Sequence, residues 1–311
     1  MIRDTIYQVA LKAEAAEGVK ETLAAADVIN ATNARFTPDV KMNPSNLAQG
    51  TMSPTPARPG LRSAKISFDV LLRGNKAGPG SPPDFSAAMR CSGWDETVTA
   101  STSVAYSPAK QSTVIPSATV GVFEDGVIKR IWGARGTVRM RAKVGETVVL
   151  SFEFTGADWE VVDGPLLSGV TYDTTEAPVF MDAGLTLDGG GSAVLTQLDF
   201  DLANTIALRQ DVNAASGHLA ARITGRKPTV TIDPEMLKVA EHDFFGKWRA
   251  GSLMALAASL GSTAGNTIAI SAPKIQYQRL TTNSRDGVAA LSAQAMCCKD
   301  AGDDEFVLTI T

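Results

Sequence analysis

The sequence predicts a mainly β protein: two tandem all-β modules of the sandwich or barrel type, each with one short flanking helix. Three observations carry that expectation. The 311-residue chain holds 27 glycines and 15 prolines but only 6% aromatic residues, which favours many short strands and turns. Apolar Val138, Met140, Ala142 and Val144 alternate with Thr137, Arg139, Arg141 and Lys143, so a strand here has an apolar face and a basic face. Finally, features of the first half return in order in the second. Asp84-Phe85 with Arg90 matches Asp243-Phe244 with Arg249, "ARGTV" (134–138) matches "SRDGV" (284–288), and "GETVVLSF" (145–152) matches "GDDEFVLTI" (302–310). The modules are expected at 1–180 and 181–311.

Taken in order, "YQVALKAEAAEGVKETLAAADVI" (7–29) has helical propensity, interrupted by Gly18. "NPSNLAQGTMSPTPARPG" (43–60) is a long polar loop with four prolines, of the length that carries function. "SAKISFDVLLRG" follows as a strand, and "DFSAAMRCSGW" as a short helix with Asp84 at its N-cap. "TASTSVAYSP" is strand-like. "SATVGVFEDGVIKRIWG" is a hairpin turning at Asp125-Gly126, and "TVRMRAKV" and "TVVLSFEFTG" are two further strands turning at Gly145-Glu146. "GADWEVVDGPLLSGVTYDTTEAPVFMDAG" is loop-rich and marks the module boundary. Beyond it, "GGGSAVLTQLDFDLANTIALRQD" reads as two strands, and "GHLAARITGRKPTVTIDPEM" as two strands around a Gly/Pro break. "EHDFFGKWRAGSLMALAASLG" reads as a helix opened by Asp243. The last segments are a hairpin turning at Asp286-Gly287 and the closing strand "EFVLTIT".

The chemistry-bearing residues are sparse. Net charge is −4, and residues 1–180 carry 18 basic and 19 acidic residues against 11 and 14 in 181–311. Neither half is the basic surface that grips phosphate. No apolar run has the length of a membrane span, and no leader pattern opens the chain. Cys91, Cys297 and Cys298 read as thiols of a reducing compartment, with one of the adjacent pair in the core and the other at the surface. His218 and His242 lack a Gly-x-Ser-x-Gly elbow, and "EHD" (241–243) reads as a helix-capping cluster. "SPAK" (107–110) has Ser-x-x-Lys in a loop without its partner motifs. "LDGGGSA" (187–193) lacks the Lys-Ser/Thr of a phosphate loop. "DAGDDE" (300–305) fails the calcium-loop spacing and reads as a solvated turn. Sequence alone points to no catalytic residue, no cofactor and no metal.

The stretch "VFEDGVIKRIWGARGTVRMRAKVGETVVLSFEFTG" (122–156) resembles the terminal strands of tail tube proteins of long-tailed bacteriophages. In that family a hairpin leads to a Gly-containing turn, a charged strand, a Gly-Glu turn and a final F-x-F-x-G strand. "IAISAPKIQYQRLTTNSRDGVAALSAQAM" (268–296) is a similar run, and "TLAAADVINATNARFTPDV" (22–40) resembles the family's extended N-terminal arm. The resemblance implies a structural virion protein with two tail-tube-like β-sandwich or barrel domains. Module one, 1–180, would carry the arm and a ring-stacking loop at about 43–60; module two would be 181–311.

Single-module tube proteins of this kind form hexameric rings, so a two-module chain is expected to form trimeric, pseudo-hexameric rings stacked into a tube. The implied partners are further copies of the chain, a tape-measure protein and tail-tip or terminator proteins. DNA would pass through the lumen without specific binding, and no membrane is involved. The protein would be made in the host cytoplasm and end in the virion. The implied stacking residues are Asn43, Leu47, Met52 and Pro56. Arg139, Arg141 and Lys143 are placed at a subunit contact or on the outer wall, since an acidic bore would exclude them. Rival readings are another ring-forming tail protein, such as a distal-tail or terminator ring, a β-sandwich hydrolase with paired carboxylates, and a carbohydrate-binding module.

Overall fold

The computed structural model describes residue 3 and residues 5–45, 50–189 and 194–311. Strand accounts for 52% of the chain and helix for 5%. The chain runs β1 (Tyr7–Ala13), a 3-10 turn (Ala25–Asp27), β2 (Val28–Ile29), β3 (Ala31–Asn43), β4 (Arg58–Leu71), α1 (Ser86–Cys91), β5 (Trp94–Thr99), β6 (Ser103–Pro108), β7 (Ala118–Glu124), β8 (Val127–Lys143), β9 (Val149–Gly156) and β10 (Asp158–Asp163). It continues with β11 (Thr186–Leu187), β12 (Gln197–Asp201), β13 (Asn204–Gln210), β14 (His218–Arg226), β15 (Thr229–Ile232), α2 (Phe244–Ala250), β16 (Met254–Leu260), β17 (Ile268–Arg285), β18 (Val288–Cys297) and β19 (Val307–Ile310).

The residues read as a hairpin arm and a separate charged strand form one strand, β8. Its first half pairs with β7 and β10, its second half with β9 and β12. Gly133, at φ 58°, sits where it changes partners; a Cβ there would lie 3.3 Å from the Ala220 backbone. On the second half Val138, Met140 and Ala142 are buried while Arg139, Arg141 and Lys143 are exposed. Val144, read as part of the apolar face, lies past the strand end and is exposed.

One eight-stranded antiparallel sheet runs β3–β4–β9–β8–β12–β15–β18–β17. A row across it reads Ala31, Val70, Leu150, Met140, Phe200, Val230, Ala295 and Tyr277, all on the core side. Other strands form β2–β1–β7–β8–β10 and β11–β16–β17–β19–β6–β5, and β13–β14 is a separate two-stranded sheet. Between these layers sit the rings of Phe68, Phe152 and Phe154, and the group Trp94, Phe200 and Phe306.

The pairing scheme recurs along the chain. β1–β7, β3–β4, β4–β9, β7–β8, β8–β9 and β8–β10 have as counterparts β11–β16, β12–β15, β15–β18, β16–β17, β17–β18 and β17–β19. α1 follows β4 and α2 follows β15, so the matched Asp-Phe and Arg positions fall on corresponding helices. The other two sequence echoes fall out of register with this scheme. "ARGTV" lies inside β8 whereas "SRDGV" is a hairpin turn, and "GETVVLSF" leads into β9 whereas "GDDEFVLTI" leads into β19. Gly-containing turns before apolar strands recur throughout a β protein, so they mark position poorly.

Several other expectations are corrected. Residues 7–13 are a strand, since pairing with β7 outweighs helical propensity. The rest of the arm to Asn43 is largely extended. Asp84 does not cap α1; its carboxylate is taken by buried Arg73, at 3.0 Å, and by the Asn30 N–H. Asp243 does cap α2, accepting from the Gly246 N–H at 2.7 Å. The long helix read after it stops at Gly251, φ 65°, and Met254–Leu260 alternates as strand β16. Trp94, read as a helix end, opens strand β5, and Asp158–Asp163, read as loop, is strand β10. The ladder reaches Asn43↔Arg58, so both ends of the segment read as a polar loop, Asn43 and residues 58–60, are strand.

Cys91 and Cys297 are buried, and burial pushes their thiols up to about 12. Cys298 is partly exposed. Iodoacetamide at pH 8 is expected to label Cys298 alone in the native protein and all three thiols after unfolding. Phe152→Ala is expected to cost about 3–5 kcal/mol in a chemical denaturation curve, because it empties a site packed on two other phenylalanines.

Candidate assembly surface

The surface is built from the open face and the two edges of the eight-stranded sheet. Seven antiparallel steps separate β3 from β17, so these edge strands run in opposite directions. Among the described residues nothing pairs with the outer side of β3, or with the side of β17 away from β18 over Gln276–Arg285; the first half of β17 is taken by β16 and β19. Unpaired N–H and C=O rows of this length template further strand pairing.

The open face is polar, and its charges are largely matched inside the chain. Arg139 donates to Asp201 of β12 at 2.8 Å, and its register partner on β12 is the same residue. Arg141 lies opposite Asp199 in register. Burial lifts the Asp199 carboxyl above its ordinary range, against the opposing hydrogen bond from Gln197 and the charge of Arg141. Lys143 meets Glu146 at 2.9 Å across the turn, and Lys65 meets Glu153 at 2.7 Å. Asp69 accepts from Asn33 at 2.8 Å and from Ser151. The basic stripe therefore faces an acidic stripe, Asp199 and Asp201, which the sequence reading passed over. The alternation in "QLDFD" carries the signal: Leu198 and Phe200 are buried and both acids share the other face.

Asn43, Met52 and Pro56 all lie exposed at the outer end of the β3–β4 hairpin. Leu47 lies outside the described residues. Asn43 sits at the far end of β3 from the row of Arg139, which runs through Ser151 and Asp69 to Thr32.

The other titratable clusters are engaged locally. Asp304 accepts from the N–H groups of Asp300, Ala301 and Gly302, closing a turn. Arg226 pairs with Asp303 and Glu305, and Lys274 with Asp300. The His242 ring packs 4.4 Å from Phe244, and burial lowers its pKa. Among the described residues no group of three or more His, Cys, Asp or Glu side chains could hold a metal ion, and no helix is long and apolar enough to cross a membrane.

Arg139→Ala is expected to shift unfolding free energy by about 0–1 kcal/mol, since an exposed pair contributes little; denaturation of the soluble subunit checks this.

A family model described as phage tail tube protein matches residues 7–295, from the first residue of β1 to within β18. A search among curated proteins returned no match. With a mainly β fold and a match over most of its length, the chain belongs to the phage tail tube protein family, as a structural component of the virion.

Proposed function

We propose that the chain polymerises into trimeric, pseudo-hexameric rings that stack into a tube conducting the genome, and that it has no catalytic role. The observation that carries this reading is the pair of open, oppositely directed edges on the eight-stranded sheet. Joining β17 of one copy to β3 of the next gives an antiparallel seam. That is the same kind of seam that β8 and β12 make inside the chain. Three copies bring twenty-four strands into one closed wall. A heterologous contact that closes removes both edges at once.

The recurring pairing scheme supports reading residues 1–180 and 181–311 as two copies of one module. It explains why three chains would stand in for six. The second layer packs on one side of the large sheet, so the open polar face would line the bore. Arg139, Arg141 and Lys143, placed from sequence at a subunit contact or on the outer wall, would then sit instead on the inner wall beside the β8–β12 seam, where Asp201 and Glu146 pair with two of them. With acids of the same chain beside them they offer DNA no run of free cations, so the polymer slides rather than binds.

The exposed tip around Asn43, Met52 and Pro56 would contact the next ring, and Leu47, which lies outside the described residues, would act with them. A tape-measure protein within the bore and tip or terminator proteins at the tube ends complete the assembly. Synthesis would occur in the host cytoplasm.

Mass measurement on solubilised rings is expected to give three chains; six would overturn the reading. Asp199→Asn combined with Asp201→Asn should leave tubes intact but slow genome ejection at low salt, with recovery at higher salt. Ejection kinetics identical to the parent phage would argue against this face lining the bore.

A further inference from the structure

We infer that the β3–β4 hairpin of one copy docks on the second-half platform of a neighbouring copy, the turn after α2 together with β17. The inference rests on the ring-forming reading and adds a lateral clamp to it.

The template for this contact is inside the chain. The β12–β15 hairpin continues outward as β13–β14, after a kink at Ala203, φ 49°. That outer part lies across the first half. Asn204 donates to the carbonyls of Ser92, at 2.7 Å, and Gly136, at 3.0 Å. Ile223 lies against Gly93, and the Ala220 backbone approaches Gly133. Arg222 pairs with Glu17, Arg135 binds the Ala221 carbonyl, and the Arg62 N–H donates to Ser216. Ala220 and Ala221 are fully buried as a result.

β3–β4 occupies the corresponding place in the pairing scheme and carries its own left-handed residue, Asn33, φ 54°. Among the described residues nothing covers its outer part. Thr37–Asn43 and Arg58–Gly60 are exposed on both strands, including Val40 and Met42. An isolated two-stranded hairpin is marginal in water, so this ladder lacks the support that its counterpart has.

The second half lacks the matching cover. Spacing from the Asp-Phe pair makes Gly251, Ser252 and Leu253 the counterparts of Ser92, Gly93 and Trp94. Trp94 is 3% exposed, its ring 6.0 Å from Phe200 of β12 and 6.2 Å from Phe306. Leu253 is 50% exposed, and in α2, just before it in the chain, Phe245 and Trp248 are 40% and 39% exposed. This apolar patch stands where the in-chain template is covered by the outgoing hairpin of the adjacent half. In a ring, the adjacent half is the first half of the next copy, and its outgoing hairpin is β3–β4.

The test uses the full chain. A benzoylphenylalanine introduced at Val40 is expected, on irradiation of assembled rings, to join tryptic peptides 250–274 or 275–279 of another chain. Crosslinks confined to other segments would overturn the proposal. Independently, Leu253→Glu and Trp248→Glu change exposed positions, so subunit melting should be unaltered, while the concentration needed for rings should rise at least tenfold. Ring formation at the parent concentration by a folded double variant would overturn the clamp and leave the ring reading standing. Failure of the unmodified chain to form rings would strike that reading first. Deleting 46–56 separates stacking from clamping: it should leave rings that do not stack, whereas loss of rings there would count against a clamp formed by the ladder itself.

Discussion

Backbone pairing along β8 is the constraint on which the rest depends. One strand takes partners from four others, β7, β10, β9 and β12, and so belongs to both layers and to both halves of the chain. Gly133 eases the change of layer, because its left-handed backbone disfavours a side chain and a Cβ there would crowd Ala157 and the Ala220 backbone. Once β8 is fixed, its alternation sends Val138, Met140 and Ala142 into the core and Arg139, Arg141 and Lys143 to the open face. The acids of β12 follow by register, since a one-residue slip would bury Asp199 and Asp201 and expose Phe200.

The same arrangement leaves something unfinished. Inside the chain the β8–β12 seam satisfies two strand edges and supports the β13–β14 hairpin. At the ends of the sheet the corresponding edges, the outer sides of β3 and of Gln276–Arg285 in β17, have no partner among the described residues, and the outer part of the β3–β4 ladder, residues 37–43 and 58–60, is exposed. On the proposed reading, further copies of the chain complete these edges. Such a design suits a tail tube family member, whose work is assembly.

Much of the fold was legible where turn chemistry is local. Asp125-Gly126, Gly145-Glu146 and Asp286-Gly287 each turn a hairpin, and Asp243 caps its helix. Legibility failed where a distant group decides. Asp84 has the right residue type for a cap, but buried Arg73 claims its carboxylate. Residues 7–13 favour a helix alone but pair with β7, over a hundred residues away. Of the site residues, the basic stripe was visible from alternation, while its pairing to Asp201 needed the register between β8 and β12. The exposed Phe245, Trp248 and Leu253 could not be separated from core residues by periodicity, because their exposure comes from a missing neighbour.

The central claim is that β3 and β17 are edges waiting for each other. Amide hydrogen exchange, compared between soluble subunit and assembled tube, tests it most directly. The account predicts that outward-facing amides of Ala31–Val40 and Gln276–Arg285 exchange fast in the subunit and become strongly protected in the tube. Tubes in which both strands exchange as fast as in the free subunit would contradict it.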